Sequence, residues 1–384
     1  MKKTYNDMLY LVSCGINCIV PDRERICETD IEELFDLSAA HMLEVLVGTA
    51  LKRCGVILPD NWTQKLSKST RKVILFENEK KKLFDFLEQN NIWYLPMKGS
   101  ILQPYYPEIG MRQMSDIDIL FDETRCDEVR EFMKAQGYTT ESFGKGVHDD
   151  YQKAPVYNFE LHRRLFDSVR QPELSAYYDD VRSGLILCDG SSFRYRFTAE
   201  DFYIYLLAHA YKHYTIGGTG LRTLLDFYVY LSAEESNMDL EYIRRECKTL
   251  RLDEFERQSR TLCKKIFDLK AIDDFCDLEN RLSDEEIEML EYYLSSGTYG
   301  TAERSVTNSI KKYKCEKGSV SRIGYIFHRI FPPAESYKSE FPFFYKHKWL
   351  LPVVWLYRML RMFFTPKRRK AILREIKIIN NTNS

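Results

Sequence analysis

Met114-Ser-Asp-Ile-Asp-Ile-Leu-Phe121 alternates polar and apolar side chains and ends on Leu120 and Phe121, the pattern of a buried β-strand. Side chains two apart on a strand share a face, so Asp116 and Asp118 point the same way at one edge of a sheet. Two carboxylates so close repel, which raises the pKa of one of them unless a proton, a basic partner or a cation intervenes. An all-oxygen donor set suits Mg²⁺, held by one or two carboxylates together with substrate phosphates. An Asp-x-Asp pair also occurs by chance, so the reading depends on what lies on either side.

Upstream, the apolar, β-prone run Ile92-Trp-Tyr-Leu-Pro-Met breaks at Lys98-Gly99-Ser100. A glycine at such a break admits a close ligand, and the turn offers backbone N–H groups and a hydroxyl to a phosphate. Downstream, Val156-Tyr-Asn-Phe-Glu160-Leu-His162 alternates again and sets Glu160 and His162 on one face. If that strand lies beside the first, Glu160 completes a cluster of three carboxylates.

The ordered pattern Lys-Gly-Ser, then Tyr-Pro-x3-Met-Arg-x2-Ser-Asp-Ile-Asp-Ile-Leu, then Glu-Leu-His resembles the uncharacterised bacterial nucleotidyltransferases of the polymerase β-like superfamily. That superfamily also holds antibiotic-modifying enzymes. The resemblance is clearest from Trp93 to Leu165 and continues through His209-Ala-Tyr-Lys-His213 and Leu221-Arg-Thr-Leu-Leu-Asp226. It implies an α+β fold, in which a polymerase β-like core of small mixed sheet and helices is flanked by N-terminal and C-terminal helical regions. It implies Mg²⁺-dependent in-line attack of an acceptor hydroxyl on the α-phosphate of a nucleoside triphosphate such as ATP, releasing pyrophosphate. Asp116, Asp118 and Glu160 are then the catalytic and metal-binding residues, holding two Mg²⁺ ions, with Mn²⁺ the alternative. Glu160 either ligates a metal or takes the acceptor's proton. Lys98, Gly99, Ser100 and Arg112 are the expected phosphate contacts, and His213, Arg222 and Asp226 shape the nucleotide or acceptor site. For Lys98 and Arg112 the alternative is a salt bridge to the aspartates; for His213, Arg222 and Asp226 it is a set of buried polar residues joining two helices.

Ten scattered cysteines among 384 residues show no second Cys or His pair at zinc-site spacing, as expected of a reduced cytoplasmic protein. A net charge of −1 excludes a chain built as a whole to coat nucleic acid. No secretory signal and no apolar run long enough to span a membrane is present. Residues 1–91 read as an N-terminal helical region, with a helix capped at Thr29-Asp30, another over His41–Leu51 and a long one from about Ser67 to Asn90. The α/β core is expected over 92–197, with a helix at Thr124–Gln136, a strand region from Tyr138 and two short strands around Asp189-Gly-Ser-Ser192. Thr198-Ala-Glu-Asp201 is an N-cap signature that opens the C-terminal helical domain, 198–384.

His209 and His213 share a helix face at a zinc-compatible spacing, but lack the glutamate of a zinc peptidase motif. Gly217-Gly-Thr-Gly220 reads as a helix–helix loop, and His148 as part of a loop over the cleft. From Phe341 to Ser384 ten Lys/Arg stand against Glu375 alone, around the apolar, aromatic stretch Trp349–Phe364 and the run Lys367-Arg-Arg-Lys370. Three expectations follow for that tail: packing on the core, membrane association at anionic head groups, or RNA contact. The acceptor is expected to be a small molecule; the alternatives are a toxin-like enzyme acting on tRNA and a non-catalytic nucleotide-binding protein.

Overall fold

The computed structural model describes residues 2–141, 143–268, 278–317, 322–337, 342–364 and 378. It is α+β, 65% helical, with a small mixed sheet of four strands. The chain divides into two compact units, one of residues 1–211 with 220–298, the other of 212–219 with 299–384.

In the first unit the strands are β1 (Tyr94–Pro96), β2 (Ile117–Phe121), β3 (His148–Lys153) and β4 (Tyr157–His162), in the order β1-β2-β4-β3. β1 runs antiparallel to β2, β2 parallel to β4, and β3 antiparallel to β4. The two-residue period sorts the side chains. Ile117, Ile119, Phe121, Phe159, Leu161 and Tyr151 face a core built with Phe76, Leu83 and Leu87 of the long helix Asp60–Gln89 and with Val129 and Met133 of Cys126–Ala135. Their partners in the alternation, Asp118, Glu160, His162 and His148, are left for the other face. Register pairs Asp118 with Glu160, Leu120 with His162, and His148 with His162. His148 therefore opens edge strand β3 rather than lying in a loop, a placement hidden by the polar composition of His148–Lys153. The strand expected from Tyr138 amounts to a single bridge, Thr139 to Gln152. The short strands β5 (Ile186–Leu187) and β6 (Tyr195–Arg196) pair antiparallel.

The helices around this core are numbered in chain order: α1 Lys3–Ile16, α2 Ile31–Ala40, α3 Glu44–Arg53, α4 Asp60–Gln89, α5 Cys126–Ala135, α6 Ala199–Ile216, α7 Leu221–Glu234, α8 Leu240–Thr249, α9 Asp253–Phe267 and α10 Asp284–Ser296. Asp30 caps α2 by accepting from the Glu32 and Glu33 amides, and Thr198 caps α6 by accepting from the Asp201 amide. α1 is buried on all sides from Asp7 to Ile16, as an internal helix must be when it is apolar all round. Ser13 donates to the carbonyl of Ile266 and the Asn17 amide to that of Phe267, tying α1 to the end of α9.

His41, 1% exposed, stands in the turn between α2 and α3 rather than inside the helix expected from it. Its Nε2 lies 3.2 Å from the Leu294 carbonyl and its Nδ1 accepts from the Leu221 amide, so one neutral tautomer satisfies both. A Cβ on Gly220 would fall 2.9 Å from that Nδ1 and 2.7 Å from the Thr298 amide nitrogen, which is why glycine precedes α7. Burial pulls the imidazole down to about 4, against the opposing pull of the Leu294 carbonyl. The unfolded chain takes up this proton near pH 6.5 and the folded chain only near 4, so stability is lost as pH falls through that window, by at most about 3 kcal/mol. Urea-unfolding midpoints measured from pH 7 to 4 should fall less steeply in His41→Gln, which keeps a donor and an acceptor but does not titrate. Equal slopes would show that His41 contributes nothing to acid sensitivity.

The second unit comprises α11 (Ala302–Lys317), α12 (Arg322–Ile330) and α13 (Leu351–Phe364). Val306 and Tyr325 form a small core with Ile310, Tyr313 and Ile326. α13 is held by Val354, which is buried, by the Trp355 indole donating to the Pro332 carbonyl, and by Arg358 donating to the Tyr337 hydroxyl.

Candidate active site

Asp118 sits in the middle of β2, with 4% of its surface exposed. The Lys98 ammonium donates to its Oδ1 at 2.5 Å, and His162 Nε2 lies 3.0 Å from the same oxygen. Burial works against ionisation there, but Lys98 and His162 outweigh it and hold the carboxyl well below the usual carboxylate range. Lys98 is correspondingly held above its ordinary value: burial opposes its charge, and Asp118, Tyr205 and Glu160 more than compensate. Glu160 completes the group, 4.0 Å from Lys98 and 3.5 Å from His162 Nε2.

Asp116 stands one residue before β2, half-buried, its Oδ2 accepting from the Ser115 hydroxyl at 3.0 Å. Burial, with Asp118 and Glu160 alongside, pushes its carboxyl up to about 6 despite Lys98. The Asp118 share of that rise is the mutual repulsion the Asp-x-Asp spacing predicts. Of the two aspartates, Asp118 is paired directly with the Lys98 ammonium, whereas Asp116 accepts from the Ser115 hydroxyl. Lys72 of α4 donates to the Ser115 carbonyl at 3.4 Å; burial pulls its ammonium down while Asp116 acts the other way.

The Lys98-Gly99-Ser100 break has an unusual backbone. Lys98 takes φ 46° and ψ −113°, a region glycine favours, at a cost of about 1–3 kcal/mol. The Ile101 and Leu102 amides both return to the Lys98 carbonyl and fix the turn. The glycine follows for a reason other than close approach of a ligand. A Cβ on Gly99 would lie 2.5 Å from Arg112 Nη1 and 2.8 Å from the Met114 sulfur, so the protein itself fills that space. The Ser100 hydroxyl is buried and makes no hydrogen bond to any described residue. Ser100 also lines a groove of about 820 Å³ with Phe84, Tyr106, Lys80, Lys81, Glu77 and Asp85.

Arg112 and Asp226 meet each other rather than the aspartate pair. Arg112 Nε and Nη2 donate to the two Asp226 oxygens at 2.8 and 2.9 Å, and the Tyr106 hydroxyl donates to Asp226 as well. Arg222, one turn earlier on α7, donates to the Gln113 carbonyl at 2.9 Å. These residues thus clamp the segment leading into β2 onto α7. His213 is exposed, near the end of α6, and belongs to the second compact unit.

Sequence reasoning placed His162 beside Glu160 but gave it no role at Asp118; the Glu-Leu-His spacing carried that signal. Tyr205, 1% exposed on α6 and close enough to interact electrostatically with Lys98, went unread because nothing local marks it. The same holds for Lys72, while Tyr106 stood in the Tyr-Pro-x3-Met-Arg pattern without a role assigned to it.

A small mixed sheet with helices on one face and paired carboxylates on the other is the frame of a nucleotidyltransferase core. The chain belongs to a family described as uncharacterised nucleotidyltransferases, whose family model matches residues 27–268. It is an enzyme, a transferase with a nucleoside triphosphate as substrate. No curated protein and no solved structure matches the chain.

Proposed function

We propose that the enzyme moves a nucleoside monophosphate from a nucleoside triphosphate to the hydroxyl of a small molecule and releases pyrophosphate. The observation that carries this reading is the gathering of Asp116, Asp118 and Glu160, with the Asp116 carboxyl raised by burial and by its two acidic neighbours. Such a donor set fits a hard divalent cation, Mg²⁺ or Mn²⁺, because a cation relieves that repulsion and oxygen ligands suit it. Bound there, the ion supplies Lewis-acid polarisation of the phosphate and lowers the pKa of the attacking hydroxyl.

The chain's own residues do the rest. The acceptor oxygen forms its bond to the α-phosphorus as the bond from that phosphorus to the bridging oxygen of the pyrophosphate breaks. Glu160 either joins the cation's ligands or takes the acceptor's proton. Lys98 balances the charge of Asp118, and the unpartnered Ser100 hydroxyl is available to a phosphate oxygen. Arg112, Asp226 and Arg222 act by positioning the segment before β2. The acceptor is read as a small molecule, with tRNA as the alternative. The test is incubation of a lysate with α-labelled triphosphates. Label on small molecules supports the reading; label on tRNA replaces the acceptor, and no pyrophosphate release with any triphosphate removes the activity.

The proposal extends to a location. No helix among the described residues is long and apolar enough to cross a membrane. Yet α13 exposes Val353, Leu356, Tyr357, Leu360 and Phe364, positions that fall within about 100° of arc, and Trp349 just before them is 77% exposed. Residues 341–364 carry Lys346, Lys348, Arg358 and Arg361 and no acid. An apolar, aromatic stripe on a purely cationic segment suits a cytoplasmic anionic bilayer surface. Lys367–Lys370 lie outside the described residues. The intact chain should sediment with anionic phospholipid vesicles, and Leu356→Ser with Leu360→Ser should release it; failure of the intact chain to sediment removes the membrane.

A further inference from the structure

His148, Glu160 and His162 each offer a donor atom, and these three atoms lie within 4.8 Å of one another. Cross-strand pairing of His148 with His162 sets the two rings 4.8 Å apart, centre to centre. His162 is 4% exposed. Its Nε2 faces Asp118 at 3.0 Å, and His148 Nε2 faces Asp150 at 3.5 Å. The Nδ1 of each ring is buried and makes no hydrogen bond to any described residue. For His148, a carboxylate behind one nitrogen and a lone nitrogen on the other side is how ligating histidines are usually oriented, while His162 meets Glu160 through its Nε2, at 3.5 Å. A buried imidazole nitrogen left unpaired is otherwise a net cost.

We infer that His148, Glu160 and His162 form a site for one first-row divalent transition cation, of the kind that prefers imidazole to an all-oxygen shell. Two imidazoles and one carboxylate match Zn²⁺, Fe²⁺ or Co²⁺ and disfavour Mg²⁺, which takes oxygen and water. Donors about 2.1 Å from one tetrahedral cation are about 3.4 Å apart, so closure needs a movement of roughly an ångström. Half-buried His148 and Glu160 can supply that by side-chain rotation. The site touches the proposed nucleotidyl chemistry twice, through Glu160, which would be shared between the two cation positions, and through His162, whose Nε2 lies 3.0 Å from Asp118. Occupancy would fix Glu160 and withdraw it from proton transfer, so the transition cation would regulate the transferase.

The test uses the full chain, stripped with a chelator and titrated with Co²⁺ at neutral pH. One Co²⁺ per chain is expected by equilibrium dialysis, with a visible absorption band and paramagnetically shifted ring-proton resonances from two histidines. His148→Ala, which removes a ligand rather than a partner behind one, should weaken binding by more than about a hundredfold, with its unfolding midpoint confirming that it folds. Asp116→Asn should keep the band. Absence of Co²⁺ binding by the intact chain, or unchanged binding in folded His148→Ala, overturns the site. Pyrophosphate release with Mg²⁺ alongside no Co²⁺ binding would overturn this site and leave the nucleotidyl reading standing. Co²⁺ binding without pyrophosphate release under any triphosphate would do the reverse.

Discussion

Asp116→Asn should lower pyrophosphate release on the order of a thousandfold while leaving the protein folded. The substitution keeps shape and removes charge from a carboxylate that accepts a hydrogen bond from the Ser115 hydroxyl. A cation liganded by that carboxylate supplies several kcal/mol of transition-state stabilisation, and about 4 kcal/mol is a thousandfold in rate. Asp118→Asn should lose activity to a similar degree but also lose stability, because it leaves the Lys98 ammonium buried with Glu160 4.0 Å away as its remaining acidic partner. The pair of variants thus separates chemistry from folding. Full release by both, with every triphosphate and acceptor tried, would end the assignment of these aspartates.

Breaking the Arg112–Asp226 pair should be the most costly single change to stability at the site. Arg112 is 6% exposed and binds Asp226 through two parallel hydrogen bonds, so removing one partner strands a buried charge at a cost of about 3–5 kcal/mol. Arg112→Met and Asp226→Leu should each lower the urea midpoint strongly, and the double variant should recover most of the loss. Activity should follow the fold, because the pair acts by holding the segment before β2. If Arg112→Met instead keeps its midpoint and loses affinity for the triphosphate, the arginine is a phosphate contact.

The sheet face was readable because β2 and β4 are constrained twice, by the two-residue period and by burial. Ile117, Ile119 and Phe121 had to face a core, which left Asp118 and, across the ladder, Glu160 together. The Asp-x-Asp repulsion was readable for the same reason, and it reappears in the raised Asp116 carboxyl. Partners distant in sequence were not. Nothing near Arg112 announces Asp226, 114 residues on, and the salt bridge foreseen for Lys98 with the aspartates reaches only Asp118 and not Asp116 directly. β3 escaped notice because an edge strand needs little apolar surface, so His148–Lys153 looks like a loop. Gly99 was read as room for a ligand when the space belongs to Arg112 and Met114.

The internal helix α1 has a consequence for biosynthesis. Its buried polar ties run to the carbonyls of Ile266 and Phe267, some 250 residues further along the chain. At about 5–20 residues per second, a ribosome takes roughly 12–50 s to deliver those partners after α1 has emerged. During that interval α1, with Met8, Leu9, Leu11 and Val12, can pack on α2 and α3 but lacks the cover that α9 later adds. The nascent chain therefore carries a sticky N-terminal segment for most of its synthesis, and a holding chaperone that binds short apolar stretches is the natural guardian of its yield.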